Sequence, residues 1–237
     1  MRRFMITMVT VLGLTFAFSA QAIPISFTKL SDFTGGSPAA TAVYRADLSG
    51  VGFDNLASIT ITDNSSGLGG ATGQFSGFDL DAIILSYDDC ATAGCVAALG
   101  GLPVFDYSPA GTLFTPGTQR APTDAKLFGT DVSGLNIDNL VATLGSFDAN
   151  STTSVPPAFG FVSMGDNGVV SFNLSSIAAT AGLNLYIGEV GDNGEVAAGS
   201  IEVFDSPVQV PVPEPGMFAL FGLGLVVLGL RRRHVRL

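Results

Sequence analysis

The sequence is poor in the side chains on which much catalytic and metal-binding chemistry depends. It has no tryptophan and a single histidine, His234, which lies close to the end of the 237 residues. A Ser-His-Asp or Cys-His mechanism and a histidine-ligated metal are therefore excluded for everything before that residue. Charged residues make up only 13% of the sequence, whereas 47% are hydrophobic. The chain can thus bury a core, and its length suits one domain or two small ones.

Basic residues are also scarce, and most of them lie at the two ends. Between residues 23 and 214, four bases against 20 acids give a formal charge of −16. A surface this negative repels phosphate backbones and anionic lipids. We therefore expect no nucleic-acid binding and no peripheral membrane binding by this region, whereas cations and neutral polymers such as polysaccharides are compatible partners. The four bases are Lys29, Arg45, Arg120 and Lys126.

The first 22 residues have the three parts of an export signal peptide. Arg2 and Arg3 form a basic start, residues 4–19 are largely apolar, and Ala20 and Ala22 supply the small residues of a cleavage site. We expect the export translocon to take up this segment and signal peptidase to cleave after Ala22. A retained membrane anchor is the alternative, but the apolar run is shorter than the roughly 20 residues of a spanning helix.

The two cysteines, Cys90 and Cys95, are predicted to form a disulfide. Export leads to a compartment that is typically oxidising, and the sequence has no other thiol to compete for either. A bond across so short a loop stabilises the fold by about 2 kcal/mol in the chain-entropy description. A redox site more usually has the spacing C-x-x-C, and a zinc site needs further ligands that this region lacks.

The C-terminal end contains a second signal, which begins with a proline motif. The motif consists of Val212, Pro213, Glu214 and Pro215. Its prolines hold the backbone around the glutamate extended and remove amide donors, so an enzyme can take the segment as an open strand. An apolar run at 217–230 and a basic tail at 231–237 follow.

The apolar run is too short to span a bilayer comfortably. As a helix it would be about 21 Å long, whereas the hydrocarbon core is about 30 Å thick. It therefore suits a transient association with the inner membrane better than a permanent span. The positive-inside rule keeps the basic tail cytoplasmic, which leaves Glu214 at the outer face. The basic anchor is formed by Arg231, Arg232, Arg233 and Arg236.

Residues 211–237 resemble the PEP-CTERM sorting domain of exported proteins in Gram-negative bacteria. The resemblance rests on the Val-Pro-Glu-Pro motif, on Gly222, Gly224 and Gly229 in the apolar run, and on the terminal arginines, all in the expected order. It implies that exosortase, a membrane-embedded cysteine transpeptidase-like enzyme, recognises the proline motif and processes the chain near it. It also implies a destination at the cell envelope, the outer surface or the extracellular matrix, in association with exopolysaccharide and biofilm. A plain tail anchor after a proline-rich linker is the alternative.

The region between the two signals predicts an all-β domain at 23–205, followed by a linker at 206–213 and the sorting signal at 212–237. No stretch keeps a helical period for three turns, and short β-branched and aromatic runs alternate with turn residues. Alternation of apolar and polar residues indicates an antiparallel β-sandwich with one wet face per sheet, and we expect it to be jelly-roll-like. Strands are predicted at 25–30, 41–48, 57–62, 81–87, 140–144, 169–174, 184–190 and 200–204.

Turn residues predict how some of these strands are connected. The sequence Gly-Asp-Asn-Gly occurs at 165–168 and again at 191–194. Asn-Gly supplies the positive φ angles of a tight turn, so we expect a β-hairpin at both places. Residues 102–125 contain four prolines and are predicted to be a long irregular excursion, and 151–157 a second loop.

Four aspartates cluster around one predicted strand and its exit turn, and they are candidate calcium ligands. They are Asp79, Asp81, Asp88 and Asp89. Calcium prefers hard oxygen ligands, and an exported setting supplies the ion. A solvated turn is the alternative, because no D-x-[DN]-x-[DN]-G loop is present. The two Gly-Asp-Asn-Gly turns, the second with Glu195, are further candidates, although turn geometry alone explains them.

Two hypotheses of function follow. The preferred one is a non-enzymatic exported protein that is structural or adhesive and associated with exopolysaccharide or biofilm, since no catalytic constellation is identifiable. The alternative is a secreted glycan hydrolase with paired carboxylates and structural calcium, which composition does not exclude. Sugar sites usually present aromatic faces, but the available rings are more simply explained as core residues. These rings are Phe75, Phe78, Phe105, Tyr107, Phe114 and Tyr186.

Overall fold

Two five-stranded antiparallel sheets pack face to face in the part of the chain that the computed structural model describes, which is residues 22–35, 40–64, 71–149, 160–195 and 200–209. The predicted all-β sandwich is confirmed. The strands, in chain order, are β1 (Ala22–Pro24), β2 (Thr28–Lys29), β3 (Thr41–Asp47), β4 (Asn55–Thr62), β5 (Asp79–Ser86), β6 (Thr112–Thr115), β7 (Val162–Ser163), β8 (Val169–Ala179), β9 (Asn184–Val190) and β10 (Ser200–Phe204).

The strand order identifies the sandwich as a jelly roll. Sheet A has the order β1-β10-β4-β8-β6 and sheet B the order β2-β3-β9-β5-β7. The pairs β1·β10, β3·β9, β4·β8 and β5·β7 are nested along the chain. Nested pairs arise when a long antiparallel ribbon wraps around a core and passes alternately between two sheets. The strands β2 and β6 extend this arrangement at sheet edges.

The core lies between the sheets, and sheet B is covered on its other side as well. On β9, Leu185 and Ile187 belong to the cluster between the sheets, whereas Tyr186 points to the opposite face, as strand geometry requires. That outer face is covered by the segment of Cys90 and by the short helix α1 (Ala93–Ala97). Both β5 and β9 are therefore buried along their whole length. The prediction of one wet face per sheet is wrong for sheet B.

The predicted disulfide between Cys90 and Cys95 is confirmed, with the two Cα atoms 5.6 Å apart. The Thr92 hydroxyl accepts a hydrogen bond from the Cys95 amide at 3.1 Å and caps α1. The Tyr186 hydroxyl accepts from the Cys90 amide at 2.9 Å and donates to the Asp88 carbonyl at 2.7 Å. The disulfide loop is thus held against sheet B by a buried ring.

The predicted strand at 140–144 is wrong, because a one-turn helix, α2 (Asn139–Ala142), occupies this place. The Asp138 carboxylate accepts from the Leu140 amide at 3.1 Å, and the Asn139 side chain accepts from the Leu144 amide at 2.9 Å. These side-chain contacts satisfy backbone amides that a strand would have paired with a neighbouring strand. Capping therefore favours the helix here, although the apolar composition favours a strand.

Both predicted hairpins are wrong, although both turns are present. Asn167 and Asp192 adopt φ angles of 63° and 49°, as such turns require. The first turn joins β7 to β8 and the second leads from β9 towards β10, and each of these pairs is divided between the two sheets. The long excursion predicted at 102–125 also contains a strand, β6, which pairs with β8.

Candidate functional site

The structure does not bring the four predicted calcium ligands together. Asp79 and Asp81 lie at the start of β5, whereas Asp88 and Asp89 follow its other end. At about 3.3 Å per residue, Asp81 and Ser86, the last residue of β5, are roughly 17 Å apart along the strand. Among the described residues, no group of three or more histidine, cysteine, aspartate or glutamate side chains is placed to hold a metal ion.

Each of these aspartates has its own surroundings. Asp88 contacts Ser86 at 3.3 Å, and Asp89 forms an ion pair with Arg45. Asp81 is fully buried, and one of its oxygens accepts from the Ala149 amide at 3.0 Å. Burial raises the pKa of Asp81 to about 8, against the lowering effect of its hydrogen bonds.

Asp79 belongs to a group of four buried carboxylates at one end of the sandwich, which we call the acidic cluster. Its members are Asp63, Asp79, Glu189 and Glu195, each at most 8% exposed. They meet because the end of β4, the start of β5 and the end of β9 lie at the same end of antiparallel strands, with Leu80 opposite Glu189 in the register. Asp79 and Glu195 are among the candidate ligands predicted from the sequence, whereas Asp63 and Glu189 are not.

Burial and neighbouring charges raise the pKa values of two carboxylates in the acidic cluster, Glu195 and Asp79. Burial raises the pKa of Glu195 to about 9, and the charges of Asp79, Glu189 and Asp63 add to this effect. Burial also raises the pKa of Asp79 well above its usual value, although a hydrogen bond from the Ser163 hydroxyl opposes the shift. The cluster thus carries less negative charge at neutral pH than its composition suggests.

Both Gly-Asp-Asn-Gly turns border the acidic cluster. In the first, Asp166 binds the Arg120 guanidinium at 2.6–3.0 Å, and the Asn167 amide donates to Asp63 at 2.9 Å. The Arg120 charge also acts on Asp79, where it partly offsets the rise in pKa that burial causes. In the second turn, Asp192 forms an ion pair with Lys29 at 2.5 Å. Each turn therefore binds a cation through its own aspartate, and the charge of Arg120 also acts on the cluster.

The second candidate site is the place where the chain leaves the domain towards the sorting signal. The Ser58 hydroxyl donates to the Ser206 carbonyl at 2.7 Å. The Asn173 side chain accepts from the Val208 amide at 2.7 Å and donates to the Val208 carbonyl at 3.1 Å. Ser58 and Asn173 are register partners on β4 and β8. We call these contacts the linker tether, because they bind the first part of the predicted linker to sheet A.

The six aromatic rings considered as sugar platforms all pack within hydrophobic clusters. Phe105 and Tyr107 stack at 5.6 Å, and both meet the buried Phe172 edge-on. Phe75 packs against Phe128 and Phe161. Phe78 and Tyr186 are buried, and Phe114 packs against the main core. These rings are therefore explained as core residues.

Comparison with known families identifies the end of the chain. Residues 211–233 match the family model of the PEP-CTERM protein-sorting motif, which confirms the resemblance found in the sequence. The motif implies an exported protein that exosortase processes and that is sorted to the cell envelope or surface. No curated protein and no solved structure matches the chain.

Several predicted features lie outside the described residues. They are the signal peptide up to residue 21, the motif from Val212 to Pro215, the apolar run at 217–230 and the basic anchor. Of the predicted cleavage-site residues, Ala22 is described and is the first residue of β1. No helix within the described ranges is long and apolar enough to cross a membrane.

Proposed function

We propose that the protein is a non-enzymatic structural or adhesive component of an extracellular polysaccharide matrix. The observation that carries this proposal is the PEP-CTERM match at residues 211–233, because the motif directs a chain to exosortase and the cell surface. What it delivers is a disulfide-bonded jelly roll, and disulfides suit small domains outside the cytoplasm. The chain passes through a transient inner-membrane stage before its release.

The linker tether supports a transient stage close to the membrane. Val208 is bound to sheet A, and Glu214 follows six residues later. A fully extended chain spans at most about 3.3–3.6 Å per residue, so the motif lies within roughly 20 Å of the domain. The folded domain therefore sits beside the membrane while exosortase acts. Its formal charge of −16 then favours departure from anionic lipids after the cut.

The charge of the domain supports contact with a neutral polymer. Its formal charge of −16 repels an anionic polymer, whereas an uncharged polysaccharide is not repelled.

The test measures matrix retention in the organism that makes the protein. A strain without the gene is complemented with the natural sequence or with Glu214→Ala, and processed protein recovered from the medium is mixed with the purified exopolysaccharide. We expect binding to the polysaccharide, loss of cell adhesion without the gene, and rescue only by the natural sequence. No affinity, together with unchanged matrix and adhesion in the deletion strain, would disprove the matrix role.

The rival function is a secreted glycan hydrolase that uses two carboxylates across a sugar. Glu189 and Glu195 of the acidic cluster are 0% exposed, so a polysaccharide cannot reach them in this conformation. The geometry therefore favours the non-enzymatic proposal. Incubation of the processed protein with a panel of polysaccharides decides the matter, because newly formed reducing ends would show hydrolysis.

A further inference from the structure

Four oxygen atoms on the segment 189–195, which contains the second Gly-Asp-Asn-Gly turn, are buried without a hydrogen-bond partner. They are one oxygen of Glu189, the side-chain oxygen of Asn193 and both oxygens of Glu195. Glu189 and Glu195 are themselves 0% exposed. Buried polar groups are almost always hydrogen-bonded, and an unpaired buried carboxylate is costly. So many unpaired oxygens on seven residues therefore point to a ligand that binds them.

The backbone of this segment fixes the direction of the Glu189 side chain. Its other carboxylate oxygen accepts from the Asn193 amide at 3.1 Å and from the Glu195 amide at 2.9 Å. These two donors close the turn around the carboxylate and leave its second oxygen without a hydrogen bond, in a region where the charge of Glu189 acts on both Glu195 and Tyr44. The Asn193 side-chain amide approaches Glu195 but does not reach hydrogen-bond geometry.

We propose that Glu189, Asn193 and Glu195 bind a calcium ion, with water and backbone carbonyls completing its coordination. The unpaired atoms are all hard oxygens, which calcium prefers, and its six to eight ligands include carboxylates, amide oxygens and waters. Two carboxylates match its charge of +2. Magnesium requires a stricter octahedral geometry and keeps its waters, so a segment that offers its oxygens from one turn suits calcium better.

The charges around the segment agree with this assignment. Asp192 lies within the turn but is bound to Lys29 at 2.5–2.6 Å, so we do not count it as a ligand. Arg120 is bound to Asp166. The site has two carboxylates and one side-chain amide. It is thus consistent with the finding that no three histidine, cysteine, aspartate or glutamate side chains of the described residues are grouped to hold a metal ion.

The test is calcium binding by the full chain, purified in detergent and treated with a chelator. Calcium chloride and, separately, magnesium chloride are titrated in a calorimeter and in thermal unfolding. We expect one calcium per chain with a dissociation constant of about 10⁻⁴–10⁻³ M, the range of extracellular modules. At 10 mM calcium this corresponds to a rise in melting temperature of about 3–10 °C. Magnesium should bind at least tenfold more weakly.

Two matched variants separate binding from folding. Glu195→Gln removes a carboxylate ligand but keeps the size and shape of the side chain, so we expect a melting temperature close to that of the natural chain without calcium, and no rise with it. Glu202→Gln makes the same change on β10, away from the segment, and should keep the full calcium response. Absence of saturable calcium binding, or a calcium response that survives Glu195→Gln, would overturn the proposal.

Discussion

Replacing Asn173 by alanine should release the linker from sheet A. The Asn173 side chain makes both hydrogen bonds to the Val208 backbone, one as acceptor at 2.7 Å and one as donor at 3.1 Å. A typical hydrogen bond contributes a net 0.5–1.5 kcal/mol, so the change removes about 1–3 kcal/mol from the attached state. The Val208 amide should then exchange with solvent about 5- to 150-fold faster, since opening of the linker exposes it.

Hydrogen exchange of the full chain in detergent measures this rate. Pro207 has no amide, so the only adjacent amide beside that of Val208 is the one of Gln209. Ser175→Ala is the control: it removes a hydrogen bond from the same strand to the Val104 carbonyl at 3.0 Å but leaves the linker contacts intact. Exchange at Val208 should be unchanged in this control. An equally slow rate in Asn173→Ala would refute the linker tether.

Two further predictions concern stability. The pKa of Asp81 is about 8 in the folded protein and near 3.8 in the unfolded chain, so the folded state binds more protons between these values. The contribution of Asp81 to stability should therefore fall as pH rises from about 4 to 8, by at most about 1.4 kcal/mol per pH unit for this one group. Urea unfolding of Asp81→Asn should show a flatter dependence of stability on pH than the natural chain, and an unchanged dependence would contradict the assignment. Reduction of Cys90 and Cys95 should lower the free energy of unfolding by about 2 kcal/mol, or the melting temperature by about 4–8 °C, whereas an unchanged melting temperature would contradict a stabilising role.

Features encoded in a short stretch of sequence were predictable. The strands at 184–190 and 200–204 were predicted with the bounds observed for β9 and β10, because their composition indicates extended structure. The disulfide was predictable as well, since the sequence has only two cysteines and they are five residues apart. The family match at 211–233 likewise depends on a contiguous motif.

Features that depend on distant pairing were not predictable. The strand β6 is short, and its pairing with β8 defines it. The two Gly-Asp-Asn-Gly turns gave the right local conformation, but the nested jelly-roll pairing decides which strands are neighbours. The acidic cluster has the same origin, because Asp63 and Glu189 are far apart in sequence and come together only at the end of the folded sandwich.

The central claim is that the protein is exported and that exosortase removes the end of the chain near the proline motif. The most direct measurement is the intact mass of the protein recovered outside the inner membrane. We predict a chain that begins after Ala22 and ends close to Glu214, and an uncut precursor held in the inner membrane when Glu214→Ala is introduced. Recovery of the natural protein with residues 217–237 still attached would contradict the account.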